Sequence, residues 1–70
     1  MNFPLQSWVD SLEVGSEVNF HFSLGMLQAT VDDITNTSIW LLCQRDGDSF
    51  LAKVGKDGHG PYASFIAPRT

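Results

Sequence analysis

Leu5, Trp8, Val9 and Leu12 fall at i, i+3, i+4 and i+7, the spacing that lines apolar side chains along one face of a helix. Pro4 suits the first turn of such a helix and Gly15 its end, so the pattern predicts a helix over about residues 4–13. After Gly15 the period changes to two. Val18, Phe20 and Phe22 alternate with Asn19, His21 and Ser23, which predicts a strand with one apolar and one polar face. Leu24-Gly25 reads as a turn, and Leu27, Ala29 and Val31 then alternate with Gln28, Thr30 and Asp32 in a second strand. Ile34 is out of step with Val31, and a bulge or strand end at Asp32-Asp33 would restore its burial.

The run Ile39-Trp40-Leu41-Leu42-Cys43 leaves no polar face, as expected of a strand covered on both sides by the helix or a neighbouring subunit. Asp46-Gly47 is a tight-turn signal. Phe50, Ala52 and Val54 alternate with Leu51 and Lys53 in a fourth strand; "KDGHGP" (Lys56 to Pro61) reads as a glycine-rich loop; and Tyr62 to Ala67 reads as a last strand stopped by Pro68. The expectation is a mainly β fold: an N-terminal α-helix, then five strongly bent antiparallel strands in a small barrel over about residues 16–67, in one domain spanning residues 1–70. An OB-fold would place its helix between the third and fourth strands, where this chain has room only for a tight turn.

Size adds a constraint. A chain of 70 residues buries only about 60% of the surface it exposes when unfolded, so domains this small often rely on disulfides, metals or partner subunits. Cys43 is the one cysteine, which excludes an internal disulfide and a cysteine zinc site. Association with copies of itself is the support left. The apolar residues Leu51, Tyr62 and Ile66, which a barrel interior cannot also bury, point the same way, toward a closed homo-oligomer. The opening "MNFPLQSW" has no basic segment followed by a long apolar run, and no stretch is long enough to span a membrane, so a cytoplasmic protein is expected.

Charge narrows the partners. The net charge is −4, and the basic residues Arg45, Lys53, Lys56 and Arg69 all lie in the C-terminal half. The broad positive footprint of a duplex-binding protein is absent, so any nucleic-acid site must be local. Other chemistry is thin. Asp32 and Asp33 are adjacent on a strand and point to opposite faces, His21 and His59 match no standard metal spacing, and Cys43 lies in an apolar run as a small buried hydrophobe does. The glycines of "GKDGHGP" lead into neither a helix nor a Lys-Ser or Lys-Thr pair, so they do not form a phosphate loop. No catalytic constellation, metal site or cofactor site is expected.

"LEVGSEVNFHFSLGMLQATVDDI" resembles the first motif of the Sm and Sm-like RNA-binding proteins, with Gly25 at the turn and Ala29 where a small residue belongs. "HGPYASFI", His59 to Ile66, is similar to their second motif, in which Arg-Gly opens the last strand. The family's plan is a leading helix and five strongly bent strands, assembled as rings that bind single-stranded RNA. The resemblance implies a homo-oligomeric ring with RNA or DNA held by two loops: Thr35, Asn36 and Thr37 in one, Lys56, His59 and Gly60 in the other. Two departures weaken that picture. The position that stacks on a base in many members is Thr37 in the gapless register and Ile34 in a shifted one, and neither offers a π-face. His59 stands where the family has Arg, so an always-charged planar fork of donors is lost. The alternative is a non-enzymatic structural or protein-interaction module built on the same barrel.

Overall fold

The computed structural model describes residues 5–69. It is mainly β: α1 (Leu5–Asp10) is followed by β1 (Glu17–Phe22), β2 (Gly25–Ile34), β3 (Ser38–Arg45), β4 (Asp48–Gly55), a 3₁₀ turn (Pro61–Ala63) and β5 (Phe65–Pro68). The strands form one antiparallel sheet in the order β4-β3-β2-β1-β5. The four sequential hairpin strands lie side by side, and β5 returns to pair with β1, Phe20 opposite Ile66 and His21 opposite Phe65.

The core follows from the alternation. Val18 and Phe20 of β1, Ala29 and Val31 of β2, Ile39, Leu41 and Cys43 of β3, Val54 of β4 and Ile66 of β5 are buried on one face, with Val9 of α1 against them. The expected irregularity in β2 is a bulge. The register with β3 shifts between Val31 and Asp33, so Asp32 is the extra residue, and Ile34 returns to the core side opposite Ile39.

The helix is shorter than the apolar stripe suggests. Its hydrogen bonding gives way at Ser11, whose hydroxyl donates to the Trp8 carbonyl at 2.8 Å, while the Leu12 N–H turns to Val9 O at 3.1 Å. The Trp8 carbonyl is the acceptor that an α-helical Leu12 would use, so the serine hydroxyl competes directly with the next helical bond. Trp8, Val9 and Leu12 still reach the core. The capping role expected of Pro4 and the side chain of Leu5 lie outside the described residues.

Three further expectations change. Ile39, Leu41 and Cys43 are buried, but Trp40 and Leu42 face outward and are only half-buried, so a single chain covers β3 on one side. The last strand begins at Phe65 rather than Tyr62, because Pro61–Ala63 form a 3₁₀ turn in which Tyr62 (φ 57°) and Ala63 (φ 62°) are left-handed, and it includes Pro68. Ile66 is 2% exposed and belongs to the core, whereas Leu51 and Tyr62 are 54% and 92% exposed. No helix among the described residues is long and apolar enough to cross a membrane.

Candidate nucleic-acid interface

The β2–β3 connection is a compact hairpin built by Thr35. Its N–H donates to Ser38 O at 2.9 Å, and its hydroxyl oxygen accepts from the Ser38 N–H at 3.0 Å and the Thr37 N–H at 3.3 Å. This is the local side-chain turn that a Thr-rich run favours. Thr35 is therefore largely engaged within the loop, while Asn36 and Thr37 stand exposed at its tip. None of residues 34–38 carries a ring.

The β4–β5 connection leaves the sheet at the same end, since Gly55 sits opposite Ser38. It then folds back along the chain's own edges. Gly55 N–H donates to His59 O at 2.8 Å, Gly60 N–H to Ser64 O at 2.8 Å, and Ile66 N–H to Gly58 O at 2.9 Å. Asp57 Oδ1 accepts from the His59 N–H at 3.0 Å. Gly58 is buried with φ +86°, and a methyl group there would stand 3.2 Å from Val9 Cγ2 and 3.3 Å from Ile66 Cγ1. Backbone conformation and close approach both call for glycine at that point.

This course separates the six expected site residues. Lys56 starts its loop beside the Thr35–Thr37 hairpin, but His59 forms an isolated bridge with Phe65, which pairs with His21 next to the β1–β2 turn. Gly60 is turned inward, where a methyl group would stand 2.5 Å from Ser64 Oγ and 3.2 Å from Lys53 O. Among the described residues no hydrogen bond or ion pair joins Thr35, Asn36 or Thr37 to Lys56, His59 or Gly60.

What His59 joins is an aromatic cluster. The His21 imidazole lies flat on the Phe65 ring, centroids 4.7 Å apart and planes within 5°. His59 tilts toward the same ring at 6.3 Å and 42°. Met26, opposite His21 in the β1–β2 register, and the exposed Tyr62 line an open cleft of about 550 Å³ with His21 and Phe65. Two consecutive left-handed residues without glycine, Tyr62 and Ala63, hold the tyrosine ring in solvent. Such conformations are strained by about 1–3 kcal/mol each and persist only where the surroundings impose them. Alternation had placed His21 on a polar strand face, but nothing in the linear pattern brings Phe65 beneath it; that contact requires the β1–β5 pairing.

The cations are few. Arg69 is committed internally, its Nη2 donating to Ala29 O at 2.7 Å and Val18 O at 3.1 Å and its Nη1 lying 3.3 Å from Glu17 Oε1. Arg45 lies 4.0 Å from Asp46, both exposed, a pairing of little energetic weight. Lys53 Nζ sits 5.5 Å from the centre of the Trp40 ring on the outer sheet face. Lys56 is exposed, with no ion-pair partner among the described residues.

Asp32 and Asp33 are exposed, the first as the bulge residue and the second accepting from the Ile34 N–H at 2.9 Å. Cys43 is fully buried, and burial pushes its thiol pKa up, so it is a packing residue and not a nucleophile. Among the described residues no three His, Cys, Asp or Glu side chains are grouped to hold a metal ion. Comparison of the chain with protein-family models, curated proteins and solved structures finds no match in any of the three.

Proposed function

We propose that the chain is an Sm-like small β-barrel that associates with copies of itself and binds single-stranded RNA or DNA weakly, without catalysing a reaction. Two features of the fold support the barrel: β2 carries a bulge at Asp32, and residues 58–60 span from the end of β4 to the outer edge of β5 by backbone hydrogen bonds. The observation that carries the binding function is the group of rings at the surface, the half-buried His21 flat on the exposed Phe65, with His59 tilted toward it and Tyr62 lining the same cleft as His21 and Phe65. Unpaired bases stack on such faces for about 1–3 kcal/mol each, whatever their sequence, and this can hold a strand where cations are scarce. Stacking therefore moves from the Thr35–Thr37 hairpin, which has no ring, to the opposite end of β2. Lys56 remains as a phosphate contact. With net charge −4 and few free cations, few counterions are released on binding, so the salt dependence is shallow.

Fluorescence anisotropy with labelled uridine-rich and adenine-rich single strands, and with a duplex of the same sequence, tests this. Both single strands should bind more tightly than the duplex. Phe65→Ala should lose about tenfold in affinity, the equivalent of one base stack, with its far-UV circular dichroism unchanged. A wild-type protein that binds neither single strand would remove the nucleic-acid reading and leave the barrel as a protein-interaction module.

A further inference from the structure

The chain holds two histidines, far apart in sequence, and the sheet brings both to the same phenyl ring. Residues directly opposite in neighbouring strands share a face. The pairs Met26–His21, His21–Phe65 and His59–Phe65 therefore set a row across β2, β1, β5 and the returning loop, with Phe65 between the two imidazoles. His59 is exposed and His21 half-buried. Among the described residues no hydrogen bond or ion pair engages either imidazole.

The charges around this row are few. Facing His21 are Met26 from β2, Phe65 from β5 and the Tyr62 phenol from the 3₁₀ turn. Beside His59 are Phe65 and, in its own loop, Lys56 and Asp57, whose Oδ1 accepts from the His59 backbone N–H. Along β1 and β5 the next charges are Glu17 and Arg69, which pair with each other beyond Asn19 and Ala67. From β4, Lys53 lies over the Trp40 ring, and at the Gly25 end of the sheet Arg45 lies 4.0 Å from Asp46, with Asp48 opposite it. Among the described residues lining the cleft of His21 and Phe65 there is no Lys, Arg, Asp or Glu. A positive charge on the rings' own surface has to come from the imidazoles.

Histidine is the side chain whose charge ordinarily changes between about pH 5 and 8. We infer that His21 and His59, when protonated, are the phosphate contacts of the stacking surface, so that the chain grips a single strand in mildly acidic solution and releases it as pH rises. The inference rests on the single-strand binding proposed above and supplies the positive charge that reading lacks beside its rings. A backbone phosphate favours the imidazolium over the neutral ring, so binding takes up protons. Affinity is then greatest where the imidazoles are charged and falls as pH climbs through the range in which those of the complex titrate. Protonating both also takes the net charge from −4 to −2, which lessens the repulsion of an approaching strand. The imidazolium of His21, 4.7 Å from the centre of the Phe65 ring, is attracted to that ring's negative face, so charging keeps the stack together.

Fluorescence anisotropy of a labelled uridine-rich strand at about pH 5.5 and pH 8, either side of the ordinary histidine value, tests this when each pH is run over a salt series. Affinity should be higher in acid by roughly tenfold for each histidine, the equivalent of one charge-assisted hydrogen bond. Each phosphate neutralised on a single strand adds about 0.7 to the slope of log affinity against log salt, so the slope should steepen by about 1.4. His21→Gln and His59→Gln should each lose about half of both increments, and the double variant should show neither, with far-UV circular dichroism alike at the two pH values. His59→Arg, a cation at every pH, should raise affinity at pH 8 and flatten the response. If a Gln variant unfolds, the wild-type salt slopes and His59→Arg still decide. Equal wild-type affinity at both pH values, a pH response that the double variant keeps, or one with an unchanged salt slope would overturn the inference. Equal affinity together with a loss on Phe65→Ala would leave the stacking surface standing, whereas no binding at either pH would remove that reading as well.

Discussion

The two ends of β2 are both solvent-facing connections, yet they are built in opposite ways. At the Ile34 end, Thr35 ties the hairpin together with bonds to Thr37 and Ser38, and what remains outside is an amide and a hydroxyl. At the Gly25 end the turn itself is plain. Strand pairing gathers the rings of His21, Phe65 and, through the returning loop, His59, with Met26 opposite His21. Local hydrogen bonding makes a compact loop without a ring, whereas pairing between residues far apart in the chain brings rings together. The more informative motif in the sequence therefore marks the end without rings.

The sharpest way to break this contrast is Gly60→Ala. The added methyl would meet Ser64 Oγ at 2.5 Å and Lys53 O at 3.2 Å, and Ser64 is itself buried and bonded to Pro61 O at 2.7 Å. Overpacking of this kind destabilises by about 1–3 kcal/mol, a fall in melting temperature of roughly 7–20 °C for a domain of this size. The same change should shift residues 58–60 away from β5 and weaken single-strand binding, because His59 is positioned by that segment. A variant that melts like wild type and binds equally well would show that the segment does not place the ring.

At the other end of β2 the expected effects are smaller. Thr35→Ala removes the acceptor of two backbone N–H groups and should destabilise the fold by about 1 kcal/mol in chemical denaturation. Asn36→Ala at the exposed tip should stay within about 0.5 kcal/mol. Neither should lower single-strand affinity as far as Phe65→Ala does. If Asn36→Ala proves the more damaging to binding, the hairpin and not the aromatic cluster holds the strand.

Cys43 supplies the smallest effect, and one set by pH. Burial raises its pKa in the folded chain, so the unfolded chain releases the thiol proton first as pH rises. Its contribution to stability is present below the ordinary thiol range and is lost as pH climbs through the raised value. Melting temperature should therefore fall more steeply at alkaline pH for wild type than for Cys43→Ala, and thiol-reactive reagents should label the native protein far more slowly than the unfolded one. Parallel pH profiles for the two proteins would show that the thiol does not contribute.

Much of the fold was legible in the linear pattern. The alternation of Val18, Phe20, Ala29, Val31, Leu41 and Val54 specified which face each strand would bury, and the phase slip at Ile34 located the bulge. The helix was read too long because periodicity registers the apolar stripe and not the Ser11 hydroxyl that competes for the Trp8 carbonyl. The last strand was read too early because two left-handed residues, Tyr62 and Ala63, carry no glycine signal. Of the candidate site, Thr35, Asn36 and Thr37 were correctly placed in one loop, and Lys56 was placed at the head of the other. Side-chain alternation and turn chemistry depend on residues a few positions apart, so strands, faces and turns were determined along the chain. The stack of His21 on Phe65, the approach of His59 and the closing of β5's outer edge join residues brought together by the β1–β5 pairing. Only the folded sheet could decide those, because their geometry depends on which strand lies beside which and in what register.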